Sequence, residues 1–445
     1  LSPAGARNDV WVLRNASAFG ATPWQYALAQ GAAGSADARF AHTAVYDAPS
    51  DRMIVFAGST GSFRNDLWVL KNATGIRATP TWSLLIPQGA VGSPGGRFFH
   101  SAVFDESNNR MIVFGGRASG GWLNDSWVLE NASGLGGTPK WTNLIGQGLP
   151  GSPSLRYRHS AVYQPATNRM TVFGGRDGLD RNDVWVLDHA NGLGGVPTWN
   201  NTIVQGDPGS PSSRSGHSGV YDQANDRLIV FGGDDGLPKS DVWVLSNATG
   251  SGGPTGWTNT VAQAAPGSPP GRWWHAAVFD PEGNRMIVSG GYNGSYMNDV
   301  WVLSHANGLG GSPSWSNTRP LGAPHSPTPR FTPTAVYNVT ENRMVLFGGS
   351  DGTVRNELWI LLDANGSPVL VGSVNVPELD RRVAAALATA MVVFSGAEVV
   401  RRGRGSRDRL QLSPRSTCHP RHGITCAGAS SSSSNEGPHS PSYSG

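Results

Sequence analysis

Residues 156–199 read RYRHSAVYQPATNRMTVFGGRDGLDRNDVWVLDHANGLGGVPTW, and the succession of short apolar runs and turn formers in this stretch decides the fold. Four of the runs have the β-branched and aromatic make-up of strands. HSAVY and RMTVFGG flank QPATN, whose Pro and Asn are turn formers, so the two make a hairpin. DVWVL follows a polar loop after Gly174 and Gly175, and a fourth run starts at Trp199 beyond the Gly- and Pro-rich HANGLGGVP. No helical period of apolar residues intervenes.

The unit recurs along the chain. Close copies of NDVWVL place Trp11, Trp68, Trp127, Trp185, Trp243, Trp301 and Trp359 at intervals of 57 to 59 residues. A short four-stranded sheet cannot cover its own indoles, so neighbouring units must cover one another, and radial stacking of such sheets about an axis is a β-propeller.

The pattern resembles the Kelch repeat, in which an Arg and a His precede the first strand, a double Gly closes the second and two Trp follow at a fixed spacing. The double Gly stands at Gly115 and Gly116, Gly174 and Gly175, Gly232 and Gly233, Gly290 and Gly291, and Gly348 and Gly349, with Ala57 and Gly58 in the first full unit. The Trp pairs are Trp68 and Trp82, Trp127 and Trp141, Trp185 and Trp199, Trp243 and Trp257, and Trp301 and Trp315. The resemblance covers about residues 7–362 and implies an all-β, Kelch-type propeller of four-stranded antiparallel blades that binds peptides on one face.

The hairpin occurs six times, the NDVWVL strand seven times and the fourth strand six times, one strand more than six blades need. Six blades are therefore favoured, the last assembled from both termini, with Trp11 and Trp359 competing for one slot. Seven blades, the first lacking its hairpin, is the alternative.

Residues 1–362 are read as the propeller and 363–445 as a tail outside it. In the tail, residues 383–400 (VAAALATAMVVFSGAEVV) lie between Arg381, Arg382 and Arg401, Arg402. The clean apolar run is shorter than the roughly 18–20 residues of a membrane span, so a soluble Ala-rich helix is favoured over a span. The Ser-rich end is low-complexity and expected to be disordered.

The formal net charge is +3, and much of the excess is Arg in the tail. A near-neutral ring without a basic stripe argues against nucleic acid as the partner. The ring contains no Cys, because the chain's two Cys are Cys418 and Cys426 in the tail. It must hold together without disulfides, and no metal or cofactor is expected. A galactose-oxidase-like enzyme, which shares the Kelch fold, needs a Tyr joined to a Cys, which this ring cannot supply. A charge-poor composition with 60 Gly and 31 Pro suits a secreted or cell-surface scaffold, the cytoplasm being the alternative.

Function is sought where the repeat breaks down. The loops between second and third strands differ from unit to unit, and their candidate binding residues are Arg117, Trp122, Arg176, Asp177, Asp180, Asp234, Asp235, Tyr292, Tyr296 and Asp351. On the same face, the starts of the inner strands bring Arg39, Arg97, Arg156, Arg214, Arg272 and Arg330, with Trp273, to the pore mouth. They would form a ring able to grip carboxylates, or alternatively brace neighbouring loops. Trp122, Trp273 and Trp274 are the Trp outside the framework. The histidines His42, His100, His159, His217 and His275 sit at equivalent positions of different blades, too far apart to share a metal, and are read as structural hydrogen-bonding residues. The expectation is a non-catalytic, monomeric scaffold for a protein or peptide partner, with a glycan as the alternative.

Overall fold

The computed structural model describes residues 24–366, which form 24 strands in six four-stranded antiparallel sheets. Blade three shows the plan: Ser160–Gln164, Arg169–Arg176, Asp180–Asp188 and Thr198–Ile203, hydrogen-bonded in that order. Blades one, two, four and five repeat it at residues 43–86, 101–145, 218–261 and 276–319. Blade six joins Thr334–Asn338, Arg343–Phe347 and Leu358–Leu362 to Trp24–Leu28 from the other end of the chain. Six blades, not seven, close the ring, and Trp359 takes the contested slot. The Trp11 stretch, residues 383–400 and the Ser-rich end lie outside the described residues. Among the described residues no helix is long and apolar enough to cross a membrane.

The double Gly has a steric cause. It forms a bulge, the second-to-third-strand register slipping between Phe173 and Gly175, with φ of 65° at Gly174 and 94° at Gly175. A Cβ on Gly174 would lie 3.0 Å from the Arg214 carbonyl and 2.9 Å from the His217 ring of the next blade; on Gly175 it would lie 2.8 Å from the His159 Cβ of its own. A residue without a side chain lets the two blades approach this closely, and blade one keeps the same left-handed backbone with Ala57 (φ 60°) at the first position.

The core is distributed between blades. Ile54, Phe56 and Val69 of blade one pack with Met111, Val113 and Trp141 of blade two, and Met53, Val55 and Leu70 close the circle against Val345, Phe347 and Ile360 of blade six. The fourth-strand Trp lies on the second-strand Phe of the preceding blade, as in Phe114 with Trp199 (centroids 4.8 Å) and, across the closure, Phe347 with Trp82 (4.8 Å). The hairpin Arg pairs within its own blade, Arg169 with Asp188, and also reaches the next one: Arg169 Nη1 donates to the Thr249 carbonyl (3.0 Å), and Arg343 to the Thr74 carbonyl (2.9 Å) over the closure.

Candidate functional site: the mouth of the axial channel

The six repeated arginines do not form an open ring at the mouth. All are 0–1% exposed. Arg156 donates from both Nη to Asp183 (2.7 and 2.8 Å), from Nη1 to the Gly174 carbonyl (3.1 Å) and from Nε to the Ser154 carbonyl (3.1 Å). Arg39, Arg97, Arg214 and Arg272 fork in the same way onto Asp66, Asp125, Asp241 and Asp299, and Arg330 onto Glu357. The expectation that these groups grip a ligand is corrected: an Arg whose N–H edges are used inside its own blade is a brace. The same carboxylate accepts the third-strand indole, Trp185 Nε1 to Asp183 at 2.8 Å.

The histidines are braces as well. His159 Nε2 bonds the Ser101 hydroxyl of the preceding blade (2.9 Å) and His217 that of Ser160 (3.0 Å); His100, His275 and His42 do the same with Thr43, Ser218 and Thr334. Burial, with a nearby Arg, pushes His159 and His217 down to about 3 and the other three well below the ordinary imidazole range.

The mouth itself is built by the second of the two residues between each repeated Arg and the His, or Pro333 in the sixth unit, that follows it. Ala41, Phe99, Arg158, Gly216, Trp274 and Thr332 all have φ between 51° and 67°. Their backbones are linked round the axis: Phe99 N–H to Ala41 carbonyl (2.9 Å), Arg158 to Phe99 (3.0 Å), Gly216 to Arg158 (2.9 Å), Trp274 to Gly216 (2.8 Å) and Thr332 to Trp274 (2.7 Å). Blades three apart face each other, which pairs the side chains by kind: small Ala41 and Gly216, aromatic Phe99 and Trp274, polar Arg158 and Thr332. Phe99 and Trp274 meet over the axis with centroids 5.9 Å apart. The Arg158 guanidinium lies 4.9, 4.8 and 4.7 Å from the centroids of Phe99, Tyr157 and Trp274, a triple cation–π contact. Burial pulls it below the ordinary arginine range. Beneath lies a cavity of about 130 Å³ bordered by the five histidines.

Around the mouth the proposed loop residues divide into two sets. Over blades three and four the charges are tied within their loops: Arg176 to Asp180 (2.9 Å), Arg181 to Asp177 (2.6 Å) and Lys239 to Asp235 (2.6 Å). Arg355 binds Asp351 (2.6 Å) in the same way on blade six. Burial alone would raise the carboxyls of Asp177, Asp235 and Asp351, but the hydrogen bonds they accept hold them below the ordinary range. Over blades five and six the rim is aromatic: Tyr296 stacks on Phe331 (5.5 Å, 15°), Tyr292 lies 5.3 Å from Tyr296, and Trp273 sits edge-on to Tyr292 (5.5 Å, 69°). Trp122 on blade two stacks on Tyr157 (6.0 Å, 14°), and the Arg117 backbone pairs across the hairpin with it. Thus Tyr292, Tyr296 and Trp273 are brought together, while Asp177, Asp180, Asp235 and Asp351 are loop braces. Phe99, Arg158, Gly216 and Thr332 were missed; the signal was the second position inside the repeated Arg-x-x-His, which differs in every unit.

A family model described as the KLHDC2/KLHL20/DRC7 Kelch-repeats domain matches residues 2–193, 137–306 and 225–417. Host cell factor 1 of Homo sapiens is 27% identical over 286 residues, 60% of this chain and 12% of that protein. Putative adagio-like protein 2 of Oryza sativa subsp. japonica is 27% identical over 406 residues, 85% of this chain and 56% of that one. The chain thus spans only part of the curated relatives it matches. A solved structure described as that of YjhT superposes with a TM-score of 0.52 at 15% identity, over 73% of this chain and 94% of the other, which is a likeness of fold.

Proposed function

Since the chain belongs to the Kelch-repeat family, we propose that it is a non-catalytic scaffold for protein–protein interaction. Its partner docks on the face that carries the loops between second and third strands and those joining one blade to the next. One observation carries this reading: the Arg repeated in all six blades and the His repeated in five are turned inward and bonded, whereas aromatic residues gather on this single face, around Trp274, Tyr292, Tyr296 and Phe331. Aromatic groups with a polar surround are the usual anchors of a protein interface.

The test is affinity capture with the full chain from an extract of its source, beside a glycan array. Trp274→Ala with Tyr296→Ala should abolish capture of the specific partners, while Glu106→Ala with Glu282→Ala, exposed on the hairpin-turn face, should leave it intact. The reverse result, or binding to the array with no captured protein, would overturn the reading.

A further inference from the structure

The loop between second and third strands has one shape in blades three to six, with one odd member. Its central Gly has φ of 107° at Gly178, Gly236 and Gly294 and 98° at Gly352. In three of these loops the residue before that Gly is an acid, Asp177, Asp235 or Asp351, held to a cation four residues on. In blade five it is Asn293, and four residues on stands the buried Met297. Asn293 thus takes the place of a braced acid without the cation that does the bracing.

Asn before Gly is a reactive pair, because no Cβ shields the backbone nitrogen that follows the side-chain amide. Among the described residues four Asn precede a Gly, and three of them are locked at both ends of the amide. Asn191 donates to Asp105 (2.7 Å) and accepts from Asn168 (2.6 Å), Asn307 donates to Asp222 (2.6 Å) and accepts from Asn284 (2.7 Å), and Asn365 donates to Asp280 (2.8 Å) and accepts from Asn342 (2.7 Å). Asn293 is partly exposed and is followed by the exposed Gly294 and Ser295. Among the described residues no hydrogen bond holds its side chain. A Cβ added at Gly294 would meet no atom within 4 Å beyond its chain neighbours, so the peptide nitrogen between the two residues stands in open space.

We propose that Asn293 is a site of spontaneous deamidation and that the charge it gains switches off docking on this face. The Gly294 nitrogen attacks Asn293 Cγ and gives up its proton as the new N–C bond forms; the side-chain amide breaks away as ammonia, carrying that proton. Water then opens the cyclic imide at either carbonyl, leaving aspartate or isoaspartate. One water is consumed and one ammonia released, and nothing is oxidised or reduced. The rate rises with pH, since the attacking nitrogen must be deprotonated. The new carboxylate lies in the loop between Tyr292 and Tyr296, whose rings are 5.3 Å apart, with Met297 where the other three loops have a cation. A partner that covers these rings must strip water from a charge with no counter-ion in its loop, which is costly. The switch rests on the loop-face reading; the deamidation does not.

The experiment keeps the full chain folded in heavy-oxygen water at neutral and at mildly alkaline pH, digests it in acid and reads the peptides by mass spectrometry. The Asn293 peptide should take up heavy oxygen and split into two products at least about tenfold faster than the peptides of Asn191, Asn307 and Asn365, which react only when their turns open locally. Its rate should be higher at the higher pH. Asn293→Gln, whose amide must close a larger ring, should lose most of the uptake. Uptake at Asn293 no faster than at the other three, or insensitive to pH, would overturn the site. Affinity capture then tests the switch. Asn293→Asp should reduce capture of the specific partners at least about fivefold, the effect of one acceptor left unsatisfied in an interface, while Asn293→Gln should retain them. Equal capture by the two variants, with capture still abolished by Trp274→Ala with Tyr296→Ala, overturns the switch alone; capture that survives all three changes overturns the loop-face reading with it.

Discussion

Five of the six blade junctions share one wall, and the junction between blades five and six has another. At the five, a second-strand Phe meets a His of the next blade edge-on, Phe56 with His100, Phe114 with His159, Phe173 with His217, Phe231 with His275 and Phe347 with His42, at 5.0–5.4 Å. Each of these His also bonds a Ser or Thr hydroxyl. At the sixth, Ser289 stands for the Phe, Pro333 for the His and Ala276 for the hydroxyl, and Arg319 replaces the aliphatic residue found at Ile86, Ile145, Ile203 and Val261. The substitutions interlock: without an imidazole a buried hydroxyl would be orphaned and the Phe edge would have no partner. Above this altered junction, aromatic residues cross from blade to blade, Tyr292 (6.5 Å), Tyr296 (5.5 Å) and Trp274 (5.4 Å) all touching Phe331. The wall is thinnest in aromatic contacts beneath the part of the rim richest in them, so the proposed docking surface also ties the ring together there.

Acid breaks the comparison most forcefully. An unfolded His takes up its proton near pH 6.5, but the folded groups resist, His159 and His217 until about pH 3. Below 6.5 the unfolded state therefore binds more protons, and stability falls as pH falls; above 6.5 the contribution is fully present. Chemical denaturation at pH 7, 6, 5 and 4 should show a continuous loss, with unfolding complete well above pH 3. Grafting the missing pair, Pro333→His with Ala276→Ser, should steepen the loss by one further proton. A stability that does not change between pH 7 and 4 would refute the wall of neutral imidazoles.

The next effect comes from copying the altered junction into an intact one. Phe173→Ser removes a ring packed on both His217 and Trp257 (4.7 Å) and should cost about 3–5 kcal/mol in urea unfolding, the usual range for emptying a buried aromatic site. A loss below about 1 kcal/mol would mean that the junctions are far more alike than their side chains suggest.

The contrast also shows what could be read from the sequence. Blade number, strand order and the inward-facing residues followed from Trp spacing, the double Gly and the count of hairpins, because each repeats and repetition has a packing cause. The repeated arginines pointed to the right loop region but not to their orientation: nothing in Arg156 itself says that its guanidinium turns inward to Asp183, a partner 27 residues on. Arg158 was hidden for the opposite reason. It lies between two repeated residues, and its place on the axis is set by a left-handed backbone (φ 61°) that no residue type there demands. The rivalry of Trp11 and Trp359 could be posed from the repeat count, but only the pairing of Trp24–Leu28 with Leu358–Leu362 decides which strand takes the slot.

The smallest effect concerns the blade that closes the ring. Five blades bind their buried Arg through Asp at 2.7–2.9 Å, and that Asp also accepts a Trp indole. Blade six has Glu357, which meets Arg330 at 3.2 and 3.4 Å, and Trp359 Nε1 is buried with no acceptor. The additional methylene carries the carboxylate past the position that serves both donors. Glu357→Asp should bring the fork to ordinary length and satisfy the indole, gaining about 1 kcal/mol and raising the melting temperature by roughly 1–2 °C for a domain of this size. The reciprocal Asp183→Glu should orphan Trp185 and lose a similar amount, so the two variants should move the melting temperature in opposite directions. If Glu357→Asp instead destabilises, the longer side chain is required by the strand Trp24–Leu28 that blade six borrows from the other end of the chain, and the closing blade would have its own bonding rule rather than an imperfect copy of the common one.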